Sequence, residues 1–407
     1  MRLWNKNFLI LWQGQFVSAI GSALYSIALG FFILDLTGST AVMGSTMAIT
    51  AIPRIFLSPL AGTFVDRHDR KLILIISDIV DGLSIISLGI VAYLGIVEIW
   101  MVVLVGILTS VTGVFFQPAI LSSLPDIVHE EKLIQANSAL SLNSTSANII
   151  GKLIGGFLFS ILGAPIIFII NGLSFLFSAS SELFISIPKG KNENKRNTFY
   201  HDLKDGFRYF MSNKGLKYLY ILIAPLNLFG VMTMTLLLPL FNNADHLGPA
   251  AYGIAMTGMT AGMFSSHSVA SSKFITRISR KNLFLLSGFL SSGSMVVLSL
   301  TSWLPLMILM MFLSGFSIAL TNTVIAVALQ TAIPADKRGR VSGFRRVLTS
   351  LLVPVGMTSA GVLAEVIHIP LIILVCNVCL LAIFIISARI PIIRNFINGI
   401  QEEKSVA

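Results

Sequence analysis

Twelve apolar runs, each long enough to cross a bilayer, leave this chain little choice of fold. A spanning helix needs roughly 20 apolar residues. The runs cover 8–34, 41–65, 72–95, 99–124, 134–162, 165–187, 216–241, 249–272, 282–301, 303–330, 341–366 and 369–391. In hydrocarbon every backbone N–H and C=O must be bonded internally, so such runs become helices. The expectation is an all-α integral membrane protein with 12 transmembrane helices. Only 11% of the 407 residues are charged and mean hydropathy is +0.86; a soluble domain carries about 25% charged residues.

Charge placement predicts the orientation. Loops after even-numbered spans carry Arg67, Arg70 and Lys71, then Lys132, then Lys189 to Lys217, then Lys273 to Lys281, then Lys337, Arg338 and Arg340. The opposite loops carry no Lys or Arg and hold Asp35, Glu98, Asp245 and Glu365 instead. Lys and Arg concentrate on the cytoplasmic side, so both termini are expected there. The net charge of +10 is then a topological signature. No soluble basic domain exists to bind nucleic acid. The first run is also too long for the apolar region of a cleaved signal peptide.

The longest polar stretch, 188–215, is expected to divide the chain into an N-terminal bundle at 1–187 and a C-terminal bundle at 216–407. Within it Phe199, Leu203, Phe207, Phe210 and Met211 recur at helical spacing among charged residues, as in a surface-lying amphipathic helix. The halves echo each other. Lys132 and Gly156 align with Lys337 and Gly361 at an offset of 205, and Arg70-Lys71 with Arg280-Lys281 at 210. Parallel repeats of six helices suggest two pseudo-symmetric six-helix bundles that rock around a central site.

The most concentrated chemistry is the turn Gly62 to Lys71, with six charged or titratable side chains in ten residues: Asp66, Arg67, His68, Asp69, Arg70 and Lys71. It must sit at a membrane surface. Its glycine is expected to let two helices approach closely. The second basic turn, Lys273 to Lys281, has no acid, so Asp66 is the distinctive member.

Inside the apolar runs, charged residues are rare enough to mark sites. Arg54 and Asp81 lie about 18 and 15 Å in from the turn at 1.5 Å per residue. An Arg54–Asp81 ion pair is expected, with Asp78 one turn nearer the surface. Ser141, Thr145, Asn148 and Lys152 share one helical face. Gly151, Gly155 and Gly156 permit close helix contact there. Lys152 needs an anionic partner, a water-filled cavity, or room to snorkel. Asn322, between Thr321 and Thr323, marks another candidate cavity face. Cys376 and Cys379 have metal-like spacing but lie within an apolar run, where packing is the expected role. No metal site or cofactor is expected.

The turn resembles the signature between the second and third helices of the major facilitator superfamily, roughly G-x-x-x-D-R-x-x-R-K. Gly62, Asp66, Arg67, Arg70 and Lys71 match, and Asp69 stands where glycine is common. The chain as a whole looks like the macrolide-efflux branch, part of the third drug:proton antiporter group. That similarity rests on Leu11-Trp12-Gln13-Gly14-Gln15, Asp35 to Ser39, Phe115 to Ala119, Asn137-Ser138, and Arg338-Gly339-Arg340-Val341. The resemblance implies the major facilitator fold and a bacterial plasma-membrane exporter. It also implies a cytoplasmic gate in which Asp66 meets the segment carrying Arg340, Arg345 and Arg346. Two departures accompany it. Lys152 replaces the proline of the family's G-P-x-x-G-G, and residues 99–124 contain no basic residue. Proton coupling would then fall to Asp35, Asp78, Asp81 or Lys152.

The expected function is secondary export of amphipathic small molecules, with protons as the counter-ion and the lipid bilayer as the other partner, by a monomer. The absence of a G-x-x-x-x-G-K-[ST] run excludes ATP as direct energy source, and no nucleophile–base constellation suggests an enzyme. An anionic or lipid-like substrate, such as a siderophore or lysolipid, is the nearest alternative. A membrane sensor is the other, and the short tail after the last span disfavours it.

Overall fold

The computed structural model describes residues 3–187, 207–208, 210–211, 214–244, 246–270, 278–333 and 338–398. Side chains at 214, 332, 338–340, 342–347 and 393–395 are not described. The described residues form helices α1 (Lys6–Thr37), α2 (Thr40–Arg67), α3 (Arg70–Tyr93), α4 (Ile99–Ile127), α5 (Leu133–Glu182), α6 (Lys214–Asn242) and α7 (Gly248–Ala270). The chain continues through α8 (Arg280–Ser299), α9 (Leu304–Ala332), α10 (Arg338–Leu363), α11 (Ile369–Arg389) and a short α12 (Pro391–Asn398). Nine of these helices are long and apolar enough to cross a membrane.

The all-helical membrane architecture expected from the apolar runs is what the structure has. The break expected between the fifth and sixth runs is a single residue. The fifth and sixth runs join in α5, which reverses at Gly163 (φ 72°, ψ 172°), followed by Pro165. Only glycine occupies that backbone region readily. The reversal shows in the packing. The arm at 133–162 runs parallel to α1, with Asn143 reaching Trp12 and Gly155 reaching Leu24 and Ile27. The arm at 164–182 runs antiparallel, with Gly14 against Ser178 and Gly21 against Ser174. The α1–α2 turn follows its sequence closely. Gly38 caps α1 in the left-handed region, and the Ser39 side chain accepts from the amide of Val42.

The chain forms two compact units: Met1–Arg196 with Gly248–Thr257, and Asn197–Leu247 with Gly258–Ala407. In the first, α1 lies between the two arms of α5, α2 packs on α4, and α3 packs on α4 and α5. A core of Phe8, Leu11, Val65, Leu74, Leu124 and Ile185 closes its charged-turn end. In the second, α9 packs on α8, and α6 and α8 pack on α11. Its largest core centres on Leu219, Phe284, Val324, Ala328 and Phe384. Both units expose large apolar side chains such as Phe56, Trp100, Phe157 and Ile221. A water-facing protein would bury such groups; a bilayer solvates them. Of the expected surface helix, only Phe207, Arg208, Phe210 and Met211 lie among the described residues, and Phe210 packs on Tyr220.

Candidate functional site

The charged turn divides into structural clamps and free charges. Asp69 is the N-cap of α3 and accepts from the Leu72 amide at 3.3 Å, which accounts for an acid at that place. Arg70 Nη1 donates to the Ser122 carbonyl and to Asp126 Oδ2, both at 2.6 Å, tying the start of α3 to the end of α4. Lys71 Nζ donates to the Leu183 carbonyl at 2.7 Å, tying α3 to the end of α5. Asp66 and Arg67 are exposed and form no ion pair among the described residues. Two of the five expected gate residues on this turn are therefore spent inside their own unit. Arg340, Arg345 and Arg346 have side chains outside the described residues.

Gly62 departs from expectation. It is exposed, and a Cβ there would meet nothing within 4 Å, so it permits no helix contact within its unit. The glycines of α5 behave as expected. A Cβ on Gly151 would fall 2.4 Å from that of Ala23, and one on Gly156 would strike the Pro249 carbonyl in the same unit. Gly361 is buried in α10.

The Arg70–Asp126 pair is part-exposed, at 19% and 29% for the two side chains. Solvent screening therefore trims a charge-assisted bond toward about 1 kcal/mol. In a double-mutant cycle with Arg70→Ala and Asp126→Ala, thermal unfolding in detergent should give a coupling energy of about that size. Additive losses would show that the two side chains do not act together.

The polar face of α5 is laid out as its spacing predicted. Asn143, Ala147, Gly151 and Gly155 are buried, the last two directly against α1. Ser141 is exposed, and Thr145, Asn148 and Lys152 are partly so. Lys152 makes no ion pair among the described residues. Asn148 donates to the Ser144 carbonyl at 2.9 Å. In the second unit Asn322 is exposed, whereas Thr321 bonds Ser287 at 2.8 Å. A cavity of about 570 Å³ in this unit lies among turn residues such as Asn243, Thr301, Glu365 and His368, away from that face.

The expected Arg54–Asp81 pair is not formed. Arg54 is exposed, while Asp81 is 7% exposed and accepts from the Thr112 hydroxyl at 2.6 Å. The reason is topological: α3 packs on α4 and α5, and barely touches α2. Asp35, at the far end of α1, is exposed. Asp78 is buried at 1% exposure and repels two carboxylates, Asp81 and Glu182. Glu182, also 1% exposed, was not singled out from the sequence, although it is the one acid within the run at 165–187. Both of its carboxylate oxygens, and Oδ2 of Asp78, have no hydrogen-bond partner among the described residues. Among the described residues no three His, Cys, Asp or Glu converge to hold a metal ion.

Comparison with known proteins follows the same lines. The sequence profile of the transmembrane secretion effector family matches residues 2–399. Macrolide efflux protein A of Streptococcus pyogenes is 26% identical over 96% of this chain and 97% of its own. The multidrug efflux pump Tap of Mycobacterium bovis is 23% identical over 97% and 96%. Among solved structures, the nucleoside transporter NupG superposes with a TM-score of 0.78 at 14% identity, covering 97% of this chain and 99% of its own. A bacterial homologue of the iron transporter ferroportin gives 0.70 at 16%, covering 94% and 98%.

Proposed function

Because the chain belongs to the transmembrane secretion effector family, a major facilitator family of membrane transporters, we propose that it exports amphipathic small molecules of macrolide-like character in exchange for protons. The observation that carries this reading is full-length similarity to a macrolide efflux protein, at 26% identity over 96% of the chain. The exporter sits in a bacterial plasma membrane with both termini cytoplasmic, and works as a monomer. It works by rocker-switch alternating access, with Ser141, Thr145, Asn148, Lys152 and Asn322 on the substrate path. The partly exposed polar face of α5 supports that placement. Asp66 and Arg67 act at the cytoplasmic gate, toward the segment bearing Arg340, Arg345 and Arg346.

A second reading rests on Lys152. A partly buried ammonium with no acid beside it among the described residues suits an anionic headgroup or carboxylate on the substrate. Proteoliposomes enclosing a pH-sensitive dye separate the two. A macrolide gradient should drive protons in the opposite direction. Flux of a macrolide without proton movement rejects antiport. Flux of a lysolipid but no macrolide, abolished by Lys152→Met, selects the second reading.

A further inference from the structure

The interface of α1, α3 and the second arm of α5 holds more acid than a structural contact requires. Along it Glu182, Asp78 and Asp81 follow one another inward. Glu182 adjoins Leu183, whose carbonyl takes the Lys71 ammonium at the charged-turn end. Asp78 and Asp81 lie seven and ten residues beyond Lys71, or about 10 and 15 Å at 1.5 Å per residue. The neighbours are polar but not saturating. Ser178, fully buried, turns its hydroxyl toward Asp78 without a well-formed hydrogen bond. Tyr25 of α1 lies in the field of Asp81, and its hydroxyl also has no partner among the described residues. Thr112 of α4 satisfies one oxygen of Asp81. The nearby cations are engaged elsewhere: Arg70 holds Asp126 and Lys71 holds the Leu183 carbonyl.

A network built only for structure is saturated with hydrogen bonds, and unsatisfied buried groups call for an explanation. Three buried carboxylates with no cation beside them among the described residues cannot all stay charged, so something must neutralise them. A metal ion would need them convergent, and they are not. A proton needs no cage and can step along a row. We propose that Glu182, Asp78 and Asp81 form a proton-carrying ladder inside the N-terminal unit, discharging at the charged-turn end. The proposal rests on proton-coupled export and deepens it. Each step makes one carboxyl O–H bond and breaks another: Asp81 takes a proton from hydronium on the side away from the charged turn, the proton passes to Asp78 and then Glu182, and Glu182 gives it to water at the charged-turn end, leaving each carboxylate ready for the next. Neutralising the ladder removes the repulsion between α3 and α5, so proton binding acts on helix packing and need not compete with substrate for one pocket.

Two measurements on the full-length protein test it. In lipid nanodiscs, infrared difference spectra between buffers of different pH should show a carbonyl band of protonated carboxylic acid. Glu182→Gln and Asp78→Asn should each remove part of it. In proteoliposomes with tritiated erythromycin, both variants should keep counterflow and lose accumulation driven by a pH gradient, and Asp78→Glu should restore it. Where either variant unfolds early, Asp81→Asn takes its place. A band missing from the wild type, or unchanged in the variants, overturns the ladder, as does full pH-driven accumulation in both. If the wild-type protein carries no erythromycin, the exporter reading fails while the infrared band still decides the ladder.

Discussion

Gly172→Val is expected to destabilise the N-terminal unit by forcing α3 and the second arm of α5 apart. A Cβ at Gly172 would lie 2.6 Å from the Gly82 carbonyl oxygen and 2.5 Å from Cγ1 of Ile86. The reciprocal contact is also tight, since a Cβ at Gly82 would lie 3.0 Å from the Gly172 carbonyl. Backbone cannot rotate away as a side chain can, so α3 and the second arm of α5 must separate. Overpacking of this kind costs about 1–3 kcal/mol. The cost has few compensations here. Helices in a bilayer gain little from excluding lipid and are held by close packing at small residues. Gly113→Ala provides the control, because nothing lies within 4 Å of its Cβ position. It should leave the unfolding temperature equal or slightly higher, since alanine is favoured over glycine in a helix by about 0.8–1 kcal/mol. Thermal unfolding in detergent that ranks Gly172→Val with Gly113→Ala would show that the α3–α5 contact does not hold the unit together.

The same contact explains what the sequence could and could not disclose. Run length gave the helices, and the spacing of Gly151 and Gly155 gave a close-packing face, which meets α1. Each of these is a one-dimensional property. The Arg54–Asp81 pair failed because depth was known and azimuth was not. Equal depth on consecutive helices implies contact only if those helices are neighbours, and α3 turns instead to α4 and α5. Glu182 escaped notice for the converse reason. Lying a few residues from the end of its run, it reads as an interfacial residue, yet it is buried with Asp78 of α3 beside it. Asp69 looked like a defect in a glycine position until the start of α3 gave it a capping role.

Asp66→Asn is the second large effect, and it falls on transport rather than on folding. Asp66 sits in the last turn of α2, which ends at Arg67. The carbonyl end of a helix disfavours a carboxylate, the side chain is exposed, and it forms no ion pair among the described residues. Its own unit therefore gains nothing from the charge, and the amide should fold with equal or slightly greater stability. If Asp66 instead serves the cytoplasmic gate, the substitution removes a charge-assisted contact of about 1.5–3 kcal/mol. That corresponds to roughly a ten- to hundredfold shift in the gating equilibrium. Macrolide efflux from proteoliposomes should fall accordingly, with the unfolding temperature unchanged or raised. Arg70→Ala should show the opposite pattern, a stability loss from an internal clamp. A variant Asp66→Asn that folds normally and transports at the wild-type rate would reduce the turn to a topological anchor, its basic residues explained by membrane orientation alone.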